Sequence, residues 1–187
     1  MKDNRLPPGQ SLTTKFPVLT YGDTPTVDRT KWRLLIDGLV ENPVILSWDD
    51  FISLPKTHIT SDFHCVTRWS RYDNGWTGVS IIELLKLVTV LPEAKAVMQH
   101  SYGGYTTNLL IEDFVREPNL IAYEHDGKEL EPDHGYPARS IVPHLFAWKS
   151  AKWINRIEFM PKDKPGFWER NGYHMRGEPF AEERYSY

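Results

Sequence analysis

The sequence predicts an α+β fold, β-rich, with a mostly antiparallel or mixed sheet arrangement and short helices. Three observations carry this. Many β-prone runs follow one another with only brief helix signals among them. Glycine-centred turns punctuate the runs as hairpin connections. The 187 residues, 40% of them hydrophobic, fit one domain with a core.

Each element follows in order. Residues 1–30 are rich in Pro and Thr with little periodicity, and read as an extended arm over the surface. WRLLIDGLVENPVILSW gives two β-rich runs around Glu41-Asn42-Pro43, with Ser47 as N-cap of a short helix ending before Pro55. HITSDFHCV reads as a strand that delivers Cys65 to the loop after it. Ser80 and Glu83 have capping-box spacing, and Ile81, Leu84, Leu85 and Val88 continue it at helical spacing. AKAVMQHSYGGYTTNLL predicts a strand pair around Gly103-Gly104, then a short helix from Glu112. LIAYEHDGKEL predicts a hairpin at Asp126-Gly127. RSIVPHLFAWKSAKWINRIEFM predicts two further strands. The tail, residues 161–187, mixes aromatic with charged residues, so it is expected to pack on the domain.

Composition excludes several classes. With 22 Lys+Arg against 25 Asp+Glu, no excess of positive charge points to nucleic acid or an anionic membrane. No apolar run approaches the ~18 residues of a membrane span, and MKDNRLPPGQ carries no apolar leader, which predicts a cytoplasmic protein. A single cysteine forms no internal disulfide, in keeping with a reducing compartment.

That cysteine, Cys65, lies in SDFHCVTRWSRYDNGWTGVS. A lone buried Cys is usually an inert small hydrophobe. Here His64 and Arg68 are expected to favour the thiolate, the form that acts as a nucleophile or soft-metal ligand. The seven histidines show no H-x3-H pair, so a metal at Cys65 must arrive with its own chelator. HGYPARSIVPHLFAWKSAKW supplies a second cluster, in which His134, Arg139, Lys149 and Lys152 could hold a phosphate or form a solvated basic face. No GxGxxG or GxxxxGK[ST] motif supports ordinary nucleotide binding. Thiolate and basic cluster together suggest an anionic, metal-carrying cofactor.

These residues resemble the molybdopterin-binding catalytic domain of the sulfite oxidase family, in its short single-domain prokaryotic members. The resemblance covers nearly the whole chain: FPVLTYG, FHCVTRWS with WTGV, GYTTNL, AYEHDGKEL, HGYPARSIVP, WKSAKW and PGFWERNGYH, in that order. It implies one domain over residues 1–187 that binds molybdenum-molybdopterin. Cys65 would be the one protein ligand to the metal. His134 and Arg139 match the pterin-contacting pair. Ser150, Ala151 and Lys152 match the phosphate-contacting segment, Ser101 a polar cofactor contact, and Thr20 and Tyr21 a cofactor-lining arm. The haem domain and the C-terminal dimerisation domain of larger members are not represented.

The resemblance implies two-electron oxygen-atom transfer on a small oxyanion, S-oxide or N-oxide, with electrons exchanged with an unidentified partner. Arg68 and Arg71 are the candidates for holding substrate. Two other readings stay open: a cofactor carrier without turnover, and a thiol hydrolase with His64 or His134 as base to Cys65. Adjacent strand residues face opposite ways, which disfavours His64 as that base.

Overall fold

A computed structural model describes residues 5–186. The strands are β1 (Ser11–Leu12), β2 (Arg33–Gly38), β3 (Val44–Ser47), β4 (Lys56–His64), β5 (Trp69–Ser80), β6 (Ala96–Ser101), β7 (Thr106–Leu110), β8 (Leu120–His125), β9 (Lys128–Glu129), β10 (Arg139–Ile141) and β11 (Ile154–Met160). Four short helices join them: α1 (Trp48–Ser53), α2 (Ile81–Leu85), α3 (Ile111–Phe114) and α4 (Phe167–Arg170).

Two mixed sheets result. In the first, β5 pairs antiparallel with β4 and β8, and β10 and β9 pair with β8. The arm joins this sheet, because β1 runs parallel to the start of β5 with Ser11 opposite Trp69. The second sheet has the order β3-β2-β11-β6-β7, parallel between β2 and β11 and antiparallel elsewhere. The predicted α+β, β-rich architecture is the one observed.

Local chemistry explains the boundaries. Ser47 and Asp50 cap α1 reciprocally: Ser47 Oγ accepts from Asp50 N, and the Asp50 carboxylate accepts from Ser47 N at 2.9 Å. Ser80 Oγ accepts from Glu83 N at 3.2 Å and starts α2. That helix ends at Leu85, short of the expected Val88, although Val88 still reaches the core. The hairpins at Gly103-Gly104 and Asp126-Gly127 form as expected, as β6–β7 and β8–β9. The first strand predicted in 139–160 is only the three residues of β10.

β5 is the largest difference from expectation, since sequence pattern assigns no strand to 69–80. Asn74, Gly75 and Gly78 disguise it. Gly78 has a tertiary cause: a Cβ there would lie 2.0 Å from the Ile121 carbonyl oxygen of β8. The main core joins both sheets. It gathers Trp32, Leu34 and Ile36 with Phe51, Val79, Leu84, Ile121, Ile157 and Phe159. A smaller cluster, Phe63, Trp76, Leu120, Ala122, Leu130 and Ile141, fills the first sheet's other face toward the arm.

Candidate cofactor site

β4 ends at His64, and the chain turns through Cys65–Arg68 into β5. The turn closes with Arg68 N donating to Cys65 O at 3.1 Å and Cys65 N donating to Trp69 O at 2.9 Å. Arg68 sits in the left-handed region at φ 73°. Neighbouring side chains diverge here. His64 Nδ1 pairs with Ser70 Oγ at 2.8 Å beside Phe180, while Cys65 lines a cavity with its Sγ 3.1 Å from Thr67 Oγ1.

Electrostatics at the thiol differ from the sequence expectation. Burial pushes the Cys65 thiol up, opposed by the Thr67 hydrogen bonds and by the charge of Arg184. His64 is itself buried and pushed toward its neutral form, so it lends no positive charge. Arg68 is exposed, and the cation that acts on the thiol comes from the C-terminal segment instead. A thiol shielded in this way is a poor nucleophile until a metal displaces its proton.

The cavity encloses about 460 Å³. The arm forms one wall with Phe16, Leu19, Thr20 and Tyr21; Gly103, Gly104 and Tyr105 contribute from the β6–β7 turn, and Phe167, Trp168 and Tyr173 from the tail. Trp148 completes the aromatic lining, stacked on Phe146 and bonded through Nε1 to Glu169 Oε1 at 2.8 Å. Phe16 anchors the arm. Its ring stacks on His134 at 4.5 Å and meets Phe63, Trp69 and Trp76 edge-on.

Two cations line this cavity, paired with neutral oxygens rather than carboxylates. Arg139 is buried and donates to the carbonyls of His134 and Ser150 at 3.0 and 3.1 Å, leaving Nε without a partner. Burial pushes its guanidinium down to about 9. Lys152 Nζ donates to Leu19 O at 3.0 Å, Asp133 O at 2.8 Å and Thr20 Oγ1. Burial and the neighbouring Arg139 push it down to about 7. His134 is driven toward neutrality by burial and by the same two cations. Gly135 lets these groups converge: at φ 115°, a Cβ would stand 2.9 Å from Arg139 Cβ and 3.3 Å from Lys152 Cα.

Lys149 corrects the expected basic set. Its side chain turns into the protein and has no exposed surface, with Nζ bound to Asn108, Met175 O and Glu169. Charge pattern alone could not separate it from Lys152, three residues on.

The structure gathers Thr20, Tyr21, Cys65, His134, Arg139, Ser150 and Lys152 around one cavity. Ala151 is buried just behind the lining, with its N donating to Ser140 Oγ at 2.8 Å. Ser101 also lies outside the lining, with a buried Oγ that has no partner. Neither Arg68 nor Arg71 lines the cavity. Arg71 is engaged by Asp126 Oδ2 at 2.6 Å, His125 Nε2 at 3.0 Å and Asn74. Sequence reasoning assigned no site role to Phe16, Tyr105, Trp148, Phe167, Trp168 or Tyr173. Their signal was present as aromatic residues in FPVLTYG, GYTTNL, WKSAKW and PGFWERNGYH.

These features fit a metal-bearing anionic cofactor. Among the described residues no three His, Cys, Asp or Glu side chains could hold a metal ion together, so a metal at Cys65 needs other ligands. The partnerless Arg139 Nε and Lys152, whose Nζ hydrogen-bonds no carboxylate, suit a phosphate in the same cavity.

Comparison with known proteins agrees. Residues 21–168 match the model of the oxidoreductase molybdopterin binding domain. The chain is similar to the uncharacterized oxidoreductase YuiH of Bacillus subtilis, 48% identical over the whole chain and 94% of that protein. It is 28% identical to the putative protein-methionine-sulfoxide reductase subunit YedZ1 of Azospira oryzae, over 91% of this chain and 66% of that one. With the sulfite oxidase of Arabidopsis thaliana it shares 26% identity over 92% of this chain but only 55% of that protein. The sulfane dehydrogenase SoxCD of Paracoccus pantotrophus has the same fold, with a TM-score of 0.70 at 23% identity over 80% of this chain and 42% of that one. On the domain match across most of its length, this chain belongs to the oxidoreductase molybdopterin binding domain family and is a molybdenum-molybdopterin oxidoreductase.

Proposed function

We propose that the cavity holds molybdenum-molybdopterin with Cys65 as the protein's ligand to the metal, and that the domain transfers an oxygen atom to or from a small S-oxide. The observation that carries this reading is one cavity lined by a single soft donor and two cations that hydrogen-bond only carbonyl and hydroxyl oxygens. Arg139 and Lys152 hold the phosphate, and His134 and Thr20 line the pterin beside them. Gly103 and Gly104 leave open space that any side chain would fill. Ala151 and Ser101 support the lining from behind. When bound, the cofactor supplies two-electron redox chemistry at the metal. The protein positions substrate against it, and the aromatic walls exclude bulk water.

The lining favours a neutral S-oxide over sulfite. Arg139 and Lys152 are taken by the phosphate, and no other Arg or Lys among the described residues lines the cavity. Arg71 is neutralised by Asp126, so it offers an anion little attraction. Relatives named for methionine sulfoxide reduction support the same class. Electrons come from a partner protein, and we place the reaction in the cytoplasm; among the described residues no helix is long and apolar enough to cross a membrane.

The test uses protein from a host that makes the cofactor. Metal analysis and fluorescence of the oxidised pterin should give one molybdenum and one pterin per chain. With an artificial electron donor the protein should reduce methionine sulfoxide, and Cys65→Ala should lose molybdenum and turnover. Full molybdenum and pterin without turnover on any S- or N-oxide would leave the carrier reading. Sulfite oxidation outpacing sulfoxide reduction would overturn the substrate assignment.

A further inference from the structure

The arm and the tail both reach the turn that carries Cys65. From the arm, Gln10 Nε2 donates to Cys65 O at 2.9 Å and to Trp69 O at 3.2 Å. From the tail, Arg184 Nη1 donates to Val66 O at 3.0 Å, and Nη2 reaches across to Pro8 O in the arm at 2.9 Å. Gln10 and Arg184 are 8% and 4% exposed, so these bonds form away from competing water. The Arg184 guanidinium lies 4.8 Å over the Phe146 ring, which stacks on the cavity's Trp148.

Two details argue for more than a structural tie. Arg184 Nε and Gln10 Oε1 are buried without partners, a cost the fold keeps. A long buried cation also serves poorly as a spacer, because packing there could be met by an apolar side chain. Here its donors are spent on the backbone of the Cys65 turn and of the arm together, at Val66 O and Pro8 O. Neither residue falls within the family match of residues 21–168.

We infer that Gln10 and Arg184 form a two-ended clamp that positions the Cys65 turn and thereby aims the sulfur toward the metal. They are positioning residues, acting through Cys65, and the inference rests on Cys65 being the metal ligand. The carbonyls of Cys65, Val66 and Trp69 fix the turn, and the turn fixes the direction of Sγ. A ligand held this way keeps its orientation while substrate and product exchange.

The test uses holoprotein and the variants Arg184→Lys and Gln10→Leu, each assayed for molybdenum and pterin content, Mo(V) paramagnetic resonance and kinetics. Pterin content should hold, the Mo(V) signal should shift, and kcat should fall about tenfold or more with KM within about twofold. Folded variants whose Mo(V) signal and kcat match the parent would overturn the clamp. Should Arg184→Lys fail to fold, Gln10→Leu decides by the same readouts. Parent protein without molybdenum would instead defeat the Cys65 reading, a result visible before any substitution is made.

Discussion

Lys149 Nζ lies 2.7 Å from Glu169 Oε1, and neither side chain has any exposed surface. The pair ties the tail helix α4 to the cavity wall, because the same carboxylate oxygen accepts from Trp148 Nε1. Removing one member leaves the other charge buried and unpaired. Glu169→Ala should therefore destabilise by about 3–5 kcal/mol. Urea denaturation of the parent and variant measures it. Replacing both residues by apolar ones of similar volume should recover much of the loss, and a double variant as unstable as the single one would contradict this account.

Arg139 illustrates the opposite balance. Its guanidinium is buried with neutral partners only, which costs the cofactor-free fold and favours an anion. Arg139→Met should leave the stability of cofactor-free protein unchanged or raise it. Cofactor retention should fall by roughly tenfold to a hundredfold, the equivalent of a charged hydrogen bond of about 1.5–3 kcal/mol. Pterin per chain after dialysis reads this directly.

Lys152 gives a pH dependence of definite sign. Burial and Arg139 push its pKa from 10.5 down to about 7, so between those values the unfolded chain binds a proton that the folded one has lost. Stability rises with pH wherever the unfolded state binds more protons. Cofactor-free protein should gain stability from this group as pH rises from about 7 toward 10, and Lys152→Met should remove that gain. Thermal melts at several pH values, compared between the two proteins, test it; parallel profiles would refute it.

Asp113 sets the acid limit. Burial alone would raise its carboxyl, but His144 at 3.1 Å and the two-pronged grip of Arg176 hold it well below the usual range. A depressed carboxyl contributes stability that is fully present above the unfolded value of about 4 and is lost as pH falls further. Asp113→Asn should lower stability at neutral pH by about 1.5–3 kcal/mol and show a shallower loss in acid. Because Arg176 lies in the C-terminal segment, limited proteolysis of the variant should release that segment first.

Much of this protein was legible in the chain. β-prone runs and turn glycines marked most strands, since those signals are local: Ser47 with Asp50, and Asp126 with Gly127, each act within a few residues. Cys65, Arg139 and Lys152 stood out because their chemistry is rare in such motifs. β5 stayed hidden, since Gly78 answers to a carbonyl of β8 that sequence neighbours do not reveal.

The tertiary structure decided what side-chain direction decides. Lys149 and Lys152 read alike in sequence, yet one is sealed against Glu169 and the other faces the cavity. Arg68, at the end of the Cys65 turn, and Arg71, just beyond it, stay out of the cavity, and Asp126 holds Arg71 away. Gln10 and Arg184 both bond the Cys65 turn although they lie far apart in the sequence, a proximity that no local pattern encodes. Residue type set the available chemistry; the sheets and turns, by fixing which atoms share a desolvated space, chose which residues could use it.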